Sequence, residues 1–343
     1  MTKKFEEIIT LQRGFDLPEH SRTKGAFPLF AASGFADKID IFKVRGPGVI
    51  TGRSGTIGKV FYTEEDFWPL NTTLFVKDFH GNNPKYISYW LSRFDLAKYA
   101  NGASVPTLNR NELNGLECDV HDLLTQQHIV NTIGSVDDLI ECNTKFLHSF
   151  QKLLKNKFKE LCSKESYCCE LSKLINRTGK LLKKKEWNHS NVLDLSTMPN
   201  DSIFIDQLSD GSNFATNIKT IDRNDLVYGS IRPYFKKAGF NWQADFIAGS
   251  VYSFNVKNAN DYLWVMACIC SDEFHKYTTS NSQGTKMPII NWDTFIKYKL
   301  PYSEQTANVF KTEIEPFFKL ALVKLKQNDS LKRIKQQLLH KYF

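Results

Sequence analysis

Along residues 129–161 apolar side chains return at alternating steps of four and three: Ile129, Ile133, Val136, Ile140, Asn143, Leu147, Phe150, Leu154, Lys157 and Leu161. So narrow a seam, held for more than four heptads, is the pattern of a helix that pairs with another helix. Asn143 and Lys157 interrupt it; polar residues in such a seam lower stability and fix register. A second run, Phe310, Ile314, Phe317, Phe318, Ala321, Leu325, Leu331, Ile334 and Leu338, is less regular. Pro316 sits inside it, and an interior proline costs about 3 kcal/mol, so a kink or a restart is expected there. At about 1.5 Å of rise, helices of about 40 residues make rods roughly 60 Å long.

The stretches before these helices read differently. Val49-Ile50-Thr51, Lys59-Val60-Phe61-Tyr62 and Thr72-Thr73-Leu74-Phe75-Val76 are short, β-branched or aromatic, and separated by Gly, Pro and Asn, the signature of strands. Leu226-Val227-Tyr228 and the run from Ser250 to Val256 repeat that signature, and short helices are expected around 85–99 and 262–277. The predicted fold class is α+β, in the order globular domain, long helix, globular domain, long helix. The expected boundaries are 1–120, 121–163, 164–300 and 301–343, with a linker over 163–186 that ends in Lys180, Lys183, Lys184 and Lys185.

The two globular stretches repeat each other. Gly102-Ala103-Ser104-Val105-Pro106-Thr107-Leu108-Asn109 recurs as Gly284-Thr285-Lys286-Met287-Pro288-Ile289-Ile290-Asn291. Val49 to Ser54 parallels Leu226 to Arg232, Lys59 falls opposite Lys236, and Lys98-Tyr99 matches Lys276-Tyr277. So long a period indicates a duplicated domain, not a solenoid.

With 343 residues, 41% hydrophobic and 13% aromatic, the chain has material for two cores. The net charge of +8 is compatible with a polyanionic partner without demonstrating one. Seven cysteines form no Cys-x-x-Cys pair, so free thiols in a reducing cytoplasm are expected. The start lacks an apolar signal core, and no run is long enough to span a membrane.

Candidate chemistry is scarce. Gly52-Arg53-Ser54-Gly55-Thr56-Ile57-Gly58-Lys59 suggests a phosphate loop but has the wrong spacing, and Val60 replaces the required Ser or Thr; a tight turn between strands explains it better. The eight histidines are scattered, without a His-x-x-x-His pair, and Asn83-Pro84-Lys85 is not an amino-methyltransferase tetrapeptide. No catalytic or metal-ligating set is expected. Nucleic-acid contact is the better-supported chemistry, because it needs cations for phosphates and fork-like polar groups for base edges. The first glycine loop offers Arg53, Ser54, Thr56 and Lys59, and its counterpart offers Ser230, Arg232, Tyr234, Lys236 and Lys237. The later loops add Asn101, Ser104, Gln283 and Lys286. Their recurrence at matched places favours shared function over unrelated surface polarity.

The run from Gly46 to Val60, then Phe67-Trp68-Pro69-Leu70-Asn71-Thr72-Thr73-Leu74, resembles the first recognition domain of type I restriction–modification specificity subunits. Gly102 to Asn109, Gln126-Gln127 and the heptad helix resemble that family's boundary between recognition domain and conserved helix, and Gly229 to Ala238 has similar features. The resemblance implies two α/β target-recognition domains joined by two long antiparallel coiled-coil helices. Ile129, Ile133, Val136, Ile140, Leu147 and Leu154 would pair with Ile314, Phe318, Ala321 and Leu325. It further implies double-stranded DNA as ligand, with each domain reading one part of a bipartite, asymmetric site and the helices setting the spacer. The partners implied are two methyltransferase (modification) subunits and motor–nuclease (restriction) subunits. S-adenosylmethionine, ATP and Mg would sit on those partners, and this chain would hold no cofactor. The competing readings are a stand-alone nuclease or methyltransferase, which lacks a visible site, and a protein-only scaffold, which leaves the paired basic loops unexplained.

Overall fold

A computed structural model describes residues 1–102, 106–183, 187–215 and 217–343. Ser104, Lys184 and Lys185, singled out above, lie outside the described residues. The chain forms two units, residues 1–139 with 332–343 and residues 140–331.

In the first unit, Val49-Ile50-Thr51 is buried on both faces and so becomes a central strand. The strands β1 (Thr10–Arg13), β2 (Gly48–Gly52), β3 (Val60–Thr63) and β4 (Thr73–Asp78) form an antiparallel sheet in the order β1-β4-β2-β3. Thr2–Lys4 pairs with Glu117–Asp119, drawing the start of the chain across to the end of the globular stretch. A second sheet holds Lys24–Ala31, Gly34–Ile39 and Trp68–Pro69. Phe5, Ile8, Val49, Leu74, Tyr86 and Trp90 build the core, joined by Ile129, Ile133 and Leu339 from the long helices.

The second unit follows the same pattern of pairing. Its strands β5 (Ile175–Arg177), β6 (Leu226–Gly229), β7 (Ala238–Phe240) and β8 (Val251–Val256) run antiparallel in the order β5-β8-β6-β7. Cys168–Glu170 pairs with Lys299–Pro301. The stretch expected as a linker is therefore partly sheet. Its short strands pair with residues far along the chain, which leaves no local periodicity to read. The expected helix over 262–277 is two, Tyr262–Ile269 and Asp272–Ser280, because the Ser271 hydroxyl caps the second at Phe274 N. Likewise 85–99 divides into Pro84–Ser92 and the 3-10 turn Leu96–Tyr99.

The long helices are α1 (Leu123–Cys162) and α2 (Glu304–Tyr342). Pro316 neither ends nor restarts α2. Its ring is on the exposed side, between buried Ile314 and Phe318, and the carbonyl it leaves unpaired belongs to exposed Thr312, where the missing donor does not leave a buried polar group. Within the first unit Lys335 meets Asp137 at 2.6 Å, and the rings of His128 and Tyr342 lie 6.2 Å apart. Within the second, Lys157 Nζ meets Glu313 at 2.8 Å and Asn143 Nδ2 donates to Asn328 Oδ1 at 2.9 Å. In each unit rising numbers on α1 meet falling numbers on α2, so the segments are antiparallel. Ile129, Ile133, Leu147, Leu154, Ile314, Phe318, Ala321 and Leu325 are buried, and Val136 and Ile140 half-buried. Asn328 fills the seam position that made the second run look irregular, whereas Phe317 and Ile334 are exposed.

Candidate nucleic-acid interface

The first unit carries an open groove of about 1170 Å³. Strand β1 supplies Gln12 and Arg13, the turn after β2 supplies Arg53, and β4 supplies Lys77. The hairpin of Ala100–Asn101 with Thr107–Leu108 brings Asn101, and the turn beyond it brings Asn109, Arg110, Asn111 and Asn114. Four cations and five amides thus face one space, with Glu6 the only carboxylate among the described lining residues. Arg110 Nη1 donates to Leu11 O at 3.0 Å, and Arg53 Nη1 reaches Asn71 O at 3.5 Å, which leaves other donors of each guanidinium free. Positive charge among side-chain amides suits a polyanion with hydrogen-bonding edges.

Of the residues expected from the sequence, Arg53 and Asn101 line this groove. Ser54 is half-buried beside it, bridged to Thr107, while half-buried Thr56 and exposed Lys59 lie on the adjoining glycine turn. That turn is tight because a Cβ on Gly52 would fall 1.7 Å from Thr56 O, and Gly55 takes a φ of +85°. The sequence reading missed Gln12, Arg13, Lys77, Arg110, Asn111 and Asn114. Arg110 was within reach, since it follows the repeated Asn109, and Asn111 and Asn114 lie on the helical turn just after it; Gln12, Arg13 and Lys77 sit on strands with no matching motif.

In the second unit several expected residues are engaged inside the protein. Ser230 is 5% exposed and its Oγ donates to Ser250 O at 2.7 Å, which removes it from the surface and corrects its place among the candidates. Lys236 Nζ donates to Asp272 at 2.6 Å, a bond that raises its pKa. Lys237 is half-buried against Leu195 O, and burial lowers its pKa. Arg232 adopts a left-handed φ of +51°; its backbone N–H donates to Pro288 O at 2.7 Å, its Nη2 reaches Lys286 O at 3.4 Å, and its Nε is buried without a partner. Tyr234 is exposed and packs on Phe235, and Gln283 and Lys286 are exposed on the later loop.

The same backbone bonds hold the loops in both units. Leu108 N donates to Arg53 O at 2.8 Å in the first, and Ile290 N to Ser230 O at 3.0 Å in the second. These are the positions that the sequence repeat aligns. No group of three or more metal-ligating side chains occurs among the described residues, and none of their helices is long and apolar enough to cross a membrane.

Residues 1–149 match the family model of the type I restriction modification DNA specificity domain. The match covers the first 149 of the 343 residues. That family's specificity subunits are non-catalytic DNA-recognition components of restriction–modification complexes. The specificity domain so matched contains the whole cation-lined groove. Over 100% of this chain and 96% of the other, the fold is similar to that of the type I restriction-modification S subunit from M. genitalium, with a TM-score of 0.65 and 16% identity. The HsdS subunit from Thermoanaerobacter tengcongensis aligns over 100% of this chain and 96% of its own, at 11% identity and a TM-score of 0.34. No curated protein matches the chain.

Proposed function

We propose that this chain is the DNA-reading subunit of a type I restriction–modification complex and that its two units are copies of one recognition module, over 1–120 and 164–300. Each module reads one half of a bipartite, asymmetric site. The helices over 121–163 and 301–343 set the spacer between the halves and dock two methyltransferase subunits, through which restriction subunits join. The chemistry belongs to those partners, with S-adenosylmethionine, ATP and Mg bound there, and the complex works in the cytoplasm.

The observation that carries this reading is the groove of Arg13, Arg53, Lys77 and Arg110 in a domain whose family recognises DNA. Recurrence of strand order, terminal strand pair and loop hydrogen bonds supports two modules, and exposed Phe317, Leu320 and Val323 on α2 support docking of a partner helix. The test is a genome-wide map of methylated adenine in the source cell with and without the gene. Loss of one gapped, asymmetric motif on deletion is expected; an unchanged map in cells whose modification subunits are expressed would count against the proposal.

A further inference from the structure

Register identifies a cation that repeats in space but not in sequence. The repeat places Gly52 opposite Gly229, which sit across from Thr73 and Val251 in their sheets. Counting on along β4 and β8, Val76 corresponds to Phe254, so their partners Leu11 and Arg177 occupy the same place on β1 and β5. The repeat likewise places Asn109 opposite Asn291, and hence Arg110 opposite Trp292.

At that seam the two units exchange sides. In the first, Arg110 comes from the turn and donates to Leu11 O on the strand. In the second, Arg177 comes from the strand and its guanidinium lies 5.0 Å from the Trp292 ring and 5.3 Å from the Tyr252 ring. A guanidinium over aromatic faces keeps its N–H edge for another acceptor. Arg177 is exposed and meets no acceptor among the described residues; Asp293, on the neighbouring turn, forms no ion pair with it. Lys219 is close by: burial first, and then the charge of Arg177, lowers its pKa. Lys236 and Lys237, by contrast, already have acceptors, and the Nε of Arg232 is buried.

We propose that Arg177 is the DNA-contacting cation of the second unit, presented at the seam where the first unit presents Arg110. This rests on the reading of the chain as a DNA-binding subunit. The group it meets is an acceptor of duplex DNA, a phosphate oxygen or the O6/N7 edge of guanine.

The test uses the full-length chain co-expressed with its modification subunits. Adenine methylation is mapped genome-wide, and purified complexes are titrated with a duplex carrying the natural site at about 50 to 200 mM salt. Arg177→Ala should lower affinity roughly tenfold or more and affect one half of the site, with Arg110→Ala affecting the other. A base-edge contact would relax that half of the motif. A phosphate contact would leave the motif intact and make the log–log salt dependence shallower by about one. Arg177→Met keeps an apolar stem over the rings and should behave like Arg177→Ala. If Arg177→Met binds like the natural chain, the residue serves packing only and the inference fails. Unchanged affinity, salt dependence and motif in Arg177→Ala overturn it as well. A natural complex that neither methylates a gapped motif nor binds any duplex overturns the DNA-reading function itself.

Discussion

The first unit lines its groove with Arg13, Arg53, Lys77 and Arg110, whereas the corresponding positions of the second hold Gly179, Ser230, Asn255 and Trp292. Only at Leu11 does the exchange run the other way, to Arg177. The strand order and the bonds that close the loops are nevertheless the same. The pairing of the main sheet recurs in both, since buried N–H and C=O groups need partners, while exposed side chains carry no such constraint. The frame persists while the exposed side chains diverge.

The largest expected effect comes from removing the charge of the first unit's groove. Arg13→Glu combined with Lys77→Glu should abolish detectable binding of the natural duplex, a loss of more than about 3 kcal/mol, since each phosphate contact steepens the salt dependence by about 0.9. Fluorescence titration across salt checks this. Binding close to that of the natural chain would mean that the groove is not where the first unit meets DNA.

Next is the seam inside the second unit. Asn143 Nδ2 donates to Gln327 at 3.1 Å and to Asn328 at 2.9 Å, and its own Oδ1 is buried without a partner. Asn143→Ala leaves Asn328 short of a partner and should lower stability by about 1–3 kcal/mol. Asn143→Leu with Asn328→Leu should be neutral or stabilising. Chemical denaturation separates the two. If both variants lose equally, side-chain volume and not hydrogen bonding governs the site.

Acid should also distinguish the units. His275 is buried, accepts or shares a hydrogen bond with Tyr228 Oη at 3.0 Å, and is pushed down to about 4, chiefly by burial and then by Lys155 and Lys236. A histidine with a lowered pKa favours the neutral form in the fold. Its contribution is complete above the unfolded value of about 6.5 and is lost as pH falls toward 4. Hydrogen exchange should therefore show the second unit loosening over that window, with His275→Gln weakening the dependence. The smallest effect is expected at Arg232. Its left-handed backbone costs roughly 1–2 kcal/mol, so Arg232→Gly should leave thermal stability unchanged or slightly raised. A large loss of stability would show instead that its side chain holds the loop.

Much of the fold was legible in residues 129–161 and in the strand runs, because helix pairing and half-buried strands leave periodic marks. The second helix was harder: Asn328 broke the apolar count, and Phe317 and Ile334 looked like seam residues although they face outward. Arg53 and Asn101 were legible as groove residues through the repeated loops they occupy. Arg13, Lys77 and Arg177 were not, because each sits on a short strand whose partner is far along the chain.

By itself, the sequence determined the order of elements, the repeat and the family resemblance, all of which depend on local periodicity and on motifs a few residues long. Tertiary structure decided that residues 168–177 are sheet, that α2 runs through Pro316, and that Ser230, Lys236 and Lys237 have protein partners. It also decided which cations converge. Convergence depends on strand register and on the acceptors that folding brings near, and neither is a property of neighbouring residues in the chain.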